Sequence, residues 1–409
     1  MRRHPYRARS LAWLAAAVVA LGCSSATSGA PREEPKRASG IPERIADSTF
    51  WRMMTEYSEP WGVFRSENLV SNETSLQWPI PELRRHVAPG GVYVGVAPDQ
   101  NFTYIAALRP AIAFIVDIRH QNAMQHLMYK ALLERSRNRA EFLAALFGRA
   151  PLSGVDSTST AEQLFTALER QPRDSARYRA NLRAILDRLT RVHRFALSDS
   201  ERVSLGCVYG AFFSEGPDLT YSYTTECRNP GAYGGRFGGI GAGGYGRGGF
   251  RMPNYRAMLT STDSAGVNWS YLGSERTFRA VKAMEERNLI IPLTGDFAGQ
   301  TALRSVGEWA RAHDARVTTF YVSNVEQYLF QQDDDARRFY ANVLGMPIDS
   351  TSTFVRSFGG GRWVTDSSLA RRTQRPGRSL QLVSSMMKTL ALFRSGELAS
   401  WGQVLGASH

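Results

Sequence analysis

The run from Gly91 to Glu134 constrains the fold of this 409-residue chain more than any other. Gly91-Val92-Tyr93-Val94-Gly95-Val96 follows Pro89-Gly90 and is short, apolar and β-branched, as a buried strand requires. Ala97-Pro98-Asp99-Gln100-Asn101 reads as a turn, and Phe102 to Leu108 as a short helix stopped by Arg109-Pro110. Ala111 to Val116 is a second apolar run, closed by Asp117. From Gln121 to Glu134, Met124, Leu127, Met128, Ala131 and Leu132 recur on one helical face. Strand, helix, strand, helix at this spacing is a unit of a parallel sheet.

The same alternation resumes far downstream. Glu275 to Arg287 predicts a helix, Leu289 to Leu293 a strand ending in Thr294-Gly295-Asp296, and Thr301 to His313 a helix. Arg316 to Val322 predicts a strand ending in Ser323-Asn324, and Asp333 to Leu344 a helix. Weaker strands at 353–358 and 379–384 and a helix at 385–394 complete the pattern. Between the halves, 138–220 has helical periodicity in pieces near 139–148, 160–171, 174–191 and 198–214. Gly231 to Gly249 is then a low-complexity, glycine-rich stretch carrying Arg236 and Arg247. Residues 41–88 read as a helical cap with aromatic anchors Phe50, Trp51, Tyr57, Trp61 and Phe64, broken at Glu67–Glu73.

The N-terminus speaks to location. Arg2, Arg3, Arg7 and Arg9 precede an apolar run from Leu11 to Leu21, the layout of a secretory signal. That run is shorter than the roughly 20 apolar residues a membrane span needs. It ends in Val19-Ala20-Leu21-Gly22-Cys23, which resembles the lipobox of bacterial lipoproteins. The resemblance implies cleavage after residue 22, acylation of Cys23 and an envelope address. The expected partner is therefore membrane lipid; Ser24 and Ser25 resemble the outer-membrane sorting preference. Residues 23–40 read as a lipidated flexible tether. Cys207 and Cys227 remain as an even pair in an oxidising compartment, for which a disulfide or two separate thiols are both open. The net charge of +13 is mostly arginine, spread along the chain without a dense block. That distribution favours a lipid surface, or no partner, over nucleic acid. No His-x-x-x-His or Cys-x-x-Cys spacing predicts a metal site.

Chemistry in such a sheet belongs outside the carboxyl ends of the strands. Those ends carry Gly95, Asp99, Gln100, Asn101, Asp117, Asp296 and Asn324. A glycine admits close backbone approach, and a carboxylate after the second strand suits a ribose diol. Simpler roles stand beside these. Asp117 could pair with Arg119, Asp99 could cap the Phe102 helix, Asp296 could cap the helix near Thr301, and Asn324 could be a turn residue.

The block Gly91–Arg119 resembles motifs I and II of class I S-adenosylmethionine-dependent methyltransferases, and Leu289–Asp296 and Phe320–Leu329 resemble their third and fourth strands. More closely, the chain resembles a bacterial family with a methyltransferase-like fold and no assigned function. The strings that carry this are Gly95–Asn101, Asn268–Leu272, Pro292–Phe297 and Tyr321–Glu326, and the resemblance spans most of 45–335. It implies an α/β fold with a Rossmann-like, mostly parallel sheet of methyltransferase type. Residues 89–137 would form the first half, 138–274 a helical and Gly-rich insertion, and 275–409 the second half. By resemblance, Gly95 matches the methionine-binding loop, Asp117 the ribose acid, Asp296 the acid near adenine and Asn324 the position near the methyl group. The implied cofactor is S-adenosylmethionine. The loop departs from the usual Gly-x-Gly-x-Gly, with Val96, Ala97, Pro98 and Asp99 after Gly95. The leading expectation is an envelope lipoprotein binding a small polar or nucleoside-like ligand. A methyltransferase, and a structural or interaction lipoprotein with a filled pocket, are the alternatives.

Overall fold

Four strands are buried along their whole length because both faces of a parallel sheet are covered. Each of them, β1 (Val92–Gly95), β2 (Ile112–Asp117), β3 (Ile290–Thr294) and β4 (Val317–Ser323), is buried at every residue. With β5 (Thr353–Gly359) and β6 (Ser379–Ser385) they form one six-stranded sheet in the order β3-β2-β1-β4-β5-β6. All pairs are parallel except β5 with β6. The strand order therefore reverses at β1, between β2 and β4. The computed structural model describes residues 40–62, 64, 67–221, 252–359 and 379–408. The expected signal, the expected acylation site Cys23, most of the expected tether, Cys227 and the Gly231–Gly249 stretch lie outside the described residues.

Two helices precede the sheet, α1 (Asp47–Glu56) and α2 (Ile80–His86). The expectation of a mainly helical cap over 41–88 is corrected here: the described residues of 57–79 form no helix. Pro60, Gly62 and Pro79 interrupt helical hydrogen bonding, and Asn68 takes a left-handed φ of 47°. This strap nevertheless buries Glu67, Leu69, Val70, Ser71, Glu73, Ser75, Leu76 and Gln77.

The crossovers of the sheet are α3 (Gln100–Leu108) and α4 (His120–Arg135). The chain then runs through α5 (Arg139–Leu146), α6 (Ala161–Glu169), α7 (Ser175–Asp187), a π-helical turn (Arg188–Val192), α8 (Asp199–Glu215) and α9 (Tyr255–Thr260). Side-chain caps explain where several of these begin, with Thr160 and Ser198 each making a full capping box. The apolar face expected on α4 is real, yet its polar face is buried too: Asn122, Gln125, His126 and Lys130 are 2% exposed or less. The strap covers that face at Gln125, and the segment around the π-helical turn covers it towards Glu134. After α10 (Glu275–Glu285) come α11 (Ala302–Ala312), α12 (Val325–Leu329) and α13 (Asp335–Leu344), then α14 (Met386–Arg394) and α15 (Trp401–Gly406). No helix among the described residues is long and apolar enough to cross a membrane.

Candidate functional site

The carboxyl ends of β1 to β4 bring the predicted residues to one side of the sheet, as strand direction dictates. Gly95 closes β1, Asp117 closes β2, Asp296 follows β3, and Asn324 follows β4. Gly295 donates its N–H to the Asp117 carbonyl at 2.9 Å, which ties the ends of β2 and β3 together.

The loop after β1 is stitched by its own side chain. Asn101 Nδ2 lies 2.8, 2.9 and 2.7 Å from the carbonyls of Val96, Ala97 and Pro98, and Asn101 Oδ1 accepts from Tyr93 OH at 2.9 Å. Ala97 takes φ +69° to turn these carbonyls inward. A Cβ on Gly95 would lie 2.0 Å from Asn101 Oδ1 and 2.7 Å from Tyr93 Cε1. Glycine at this position thus makes room for Asn101 and Tyr93.

Asp99 does not cap α3 through its side chain. It points into a buried tyrosine cluster, where Tyr271 OH donates to Oδ2 at 3.2 Å and the Tyr271 and Tyr255 hydroxyls are 2.6 Å apart. Burial pushes the Asp99 carboxyl up to about 7. Its neighbour Gln100 turns the other way and donates to Tyr321 OH at 3.3 Å, leaving Oε1 without a partner.

Asp117 pairs with Arg119. Arg119 Nε donates to Oδ1 at 3.0 Å, Nη2 to Oδ2 at 2.7 Å, and the Arg119 backbone N–H to Oδ1 at 2.9 Å. Both residues are buried, and Arg119 Nη1 donates to the strap carbonyl of Glu67. The bidentate geometry is the strong form of such a pair.

One turn along, α4 presents Asn122 and His126 on the same face. His126 Nε2 is 3.1 Å from the Ala97 carbonyl, which requires it to carry the proton. Its Nδ1 has no partner, and neither do Asn122 Nδ2 and Oδ1, although both residues are at least 98% buried. Burial pushes the His126 imidazole down to about 4, so it is neutral at pH 7.

The remaining two strand ends are engaged otherwise. Asp296 Oδ1 accepts from the Ala298 N–H at 2.9 Å in a local turn, and burial raises its carboxyl. The cap of α11 is Glu59 instead, which accepts from the N–H groups of Thr301 and Ala302. Asn324 stands at the start of α12 without a side-chain cap bond, 3.5 Å from Ser323 Oγ. Ser323 Oγ donates to the strap's Glu73, which also accepts from Gln381 Nε2 at 3.0 Å. Burial raises the Glu73 carboxyl. Glu326 is consumed in a fully buried pair with Arg356, at 2.5 and 3.0 Å.

The strap spans these ends. Leu69 accepts from Gln125 at 2.8 Å, Leu76 accepts from Tyr104 OH at 2.8 Å, and Glu73 reaches β4 and β6. S-adenosylmethionine needs an open groove above the glycine and a carboxylate free for the ribose. Here Asn101 fills the first and Arg119 takes the second, so the residues present do not fit that cofactor in this arrangement. Two surface concavities lie elsewhere, one at Asn138 and Glu275 and one at Arg304 and Asn342.

Sequence reasoning missed Glu59, Glu67, Glu73, Asn122 and the tyrosines 255 and 271 as parts of this region. The break in helical pattern at Glu67–Glu73 was the one available pointer to the strap. Cys207 is disulfide-bonded, and its expected partner Cys227 lies outside the described residues. Comparison with curated proteins finds none that matches. A family model matches residues 68–204 and 245–400, which takes in the strap from Asn68 onward, both halves of the sheet and Asn122 and His126, and the chain belongs to that family, described as Domain of unknown function (DUF7790).

Proposed function

We propose that the chain is an envelope lipoprotein, anchored through Cys23, whose methyltransferase-type α/β domain binds a small polar ligand at the strand carboxyl ends. The observation that carries this reading is the pair Asn122 and His126. Two donors or acceptors on Asn122 and one acceptor on His126 are buried without partners, beside Asp117–Arg119 and below the Ala97 carbonyl. Leaving such atoms unpaired costs on the order of 1–3 kcal/mol each, so a polar ligand that pairs them gains what folding forgoes. The mixed donor and acceptor set suits a nucleoside-like molecule lacking a charged tail. Entry requires the strap to lift, because residues 67–77 cover the approach.

A thermal-shift screen with nucleosides and other uncharged polar metabolites tests this. A hit should raise the melting temperature of the parent and fail to do so for Asn122→Ala. An equal shift in both proteins, or no hit with ligand far above micromolar levels, counts against the site. Methyl transfer is the alternative, and calorimetry with millimolar S-adenosylmethionine decides it: measurable heat would restore that reading. The filled space above Gly95 favours a second alternative, an interaction lipoprotein that needs no ligand. Failure of the whole screen, with the strap unmoved by hydrogen exchange, would support it.

A further inference from the structure

The arginines that are scattered along the sequence converge at the end of the sheet opposite the strap. Each of the strands β1 to β4 is entered after one of them: Arg85 before β1, Arg109 before β2, Arg287 before β3 and Arg316 before β4. Backbone bonds fix their placement. The Arg109 carbonyl accepts from Gly90 at 3.0 Å, and the Arg316 carbonyl accepts from Val92 at 2.8 Å. The Arg287 carbonyl accepts from Ile45 at 3.0 Å, which brings exposed Arg44 to the same end. Asp47 Oδ1 receives Asn288 Nδ2 at 2.7 Å and His193 Nδ1 at 2.9 Å, which brings exposed Arg194 there too. Among the described residues, the exposed acids beside these arginines include Glu43, Asp314 and Glu286, the last held by Lys282 at 2.7 Å. Helix carboxyl ends attract cations and account for Arg85, Arg109 and Arg287. Arg44 and Arg316 end no helix and have no such reason to be there.

The chain also enters the domain at this end. Gly40 packs on the carbonyl of His313, just before β4, and a Cβ on it would lie 2.5 Å from that oxygen. We infer that this amino-end face docks on an anionic lipid surface, with the strap and the strand carboxyl ends turned away from it. The inference rests on the reading of Cys23 as a lipid anchor. A tether of residues 24–39 cannot carry Gly40 farther than roughly 60 Å from that anchor, so headgroups are the polyanion within reach. Acyl chains plus a basic patch are the two signals that together hold a protein at a membrane, and each arginine near an anionic surface adds attraction that salt screens.

The test uses the mature acylated chain on vesicles of phosphatidylcholine alone or with phosphatidylglycerol. Hydrogen exchange at residues 40–46, 188–195 and 286–289 should slow by about tenfold on the anionic vesicles only, and recover in raised salt. The variant Arg44→Ser/Arg194→Ser/Arg316→Ser should lose that protection while still floating with the vesicles. Flotation with both lipids but no protection on either would overturn the docking and leave the anchor standing. Protection that persists in a Cys23→Ser chain would keep the docking and show that it does not need the anchor, and flotation on phosphatidylcholine that is unchanged in that chain would refute the anchor. Protection by a DNA oligonucleotide and not by vesicles would overturn the lipid assignment.

Discussion

The two ends of the sheet differ in how their polar groups are satisfied. At the carboxyl ends Asp117, Arg119, Glu73 and Asn101 are buried and hydrogen-bonded: Asp117 to Arg119, Arg119 to the strap, Glu73 of the strap to Ser323, and Asn101 to its own loop. At the amino ends, Arg44, Arg194 and Arg316 face water, and the Asp47–His193 link is partly exposed, with the Asp47 side chain at 39%. The same parallel topology thus yields one sealed end and one charged, accessible end. Strand direction fixes which residues meet at each end, whereas the strap decides which end is closed.

That contrast predicts a gradient of mutational cost. Asp117→Ala would leave the Arg119 guanidinium buried without its partner, and should lower unfolding free energy by about 3–5 kcal/mol. Urea denaturation reads this directly, and a loss below 1 kcal/mol would mean the pair is not sealed from water.

Asp99 gives the next effect, through pH. Its folded value of about 7 lies above the ordinary carboxylate range, so the native state holds a proton the unfolded chain releases. The stability this contributes is complete below about pH 4 and disappears as pH rises towards 7. His126 opposes it: with a folded value near 4, its contribution is present above about pH 6.5 and lost as pH falls. Comparing parent with Asp99→Asn isolates the first. The variant should gain on the parent by up to roughly 4 kcal/mol between pH 4 and 7. A difference that stays flat with pH would show Asp99 to be solvated.

Gly95→Ala should cost about 1–3 kcal/mol by forcing Asn101 or Tyr93 aside. Combined with Asn101→Ala, which vacates the nearest colliding atom and leaves only Tyr93 Cε1 at 2.7 Å, the glycine substitution should cost less than it does in the parent. Additivity of the two would refute the packing role of Asn101. At the open end the effects shrink. Asp47→Ala breaks a half-exposed link and should cost on the order of 1 kcal/mol. Arg316→Ser should change stability by no more than about 0.5 kcal/mol. A larger loss there would mean that the amino-end arginines stabilise the fold instead of meeting a surface.

Most of the sheet could be read from the chain, because a buried strand must be a short apolar run and a crossover helix must repeat near 3.6 residues. Ala111–Val116 and Leu289–Leu293 show this, and β2 and β3 begin and end within one residue of the expected bounds. The candidate site was legible only as a set of positions. That Asp117 would be held by Arg119, two residues away, was visible as an option. That Asn101 would occupy the space beside Gly95 was not, because it depends on a left-handed Ala97 and on the phenol of Tyr93.

Sequence by itself determined strand direction, and therefore which residues stand at each end, since apolar run length and helical period are local properties. Tertiary structure alone decided that one end is shut. The bonds that shut it join Glu73 to Ser323 and Gln381, and Leu69 to Gln125. Tertiary structure also gathered Arg44, Arg194 and Arg316 at one end, although they are far apart along the chain. No local pattern encodes either outcome, because both arise from pairings between segments that meet only once the sheet has formed.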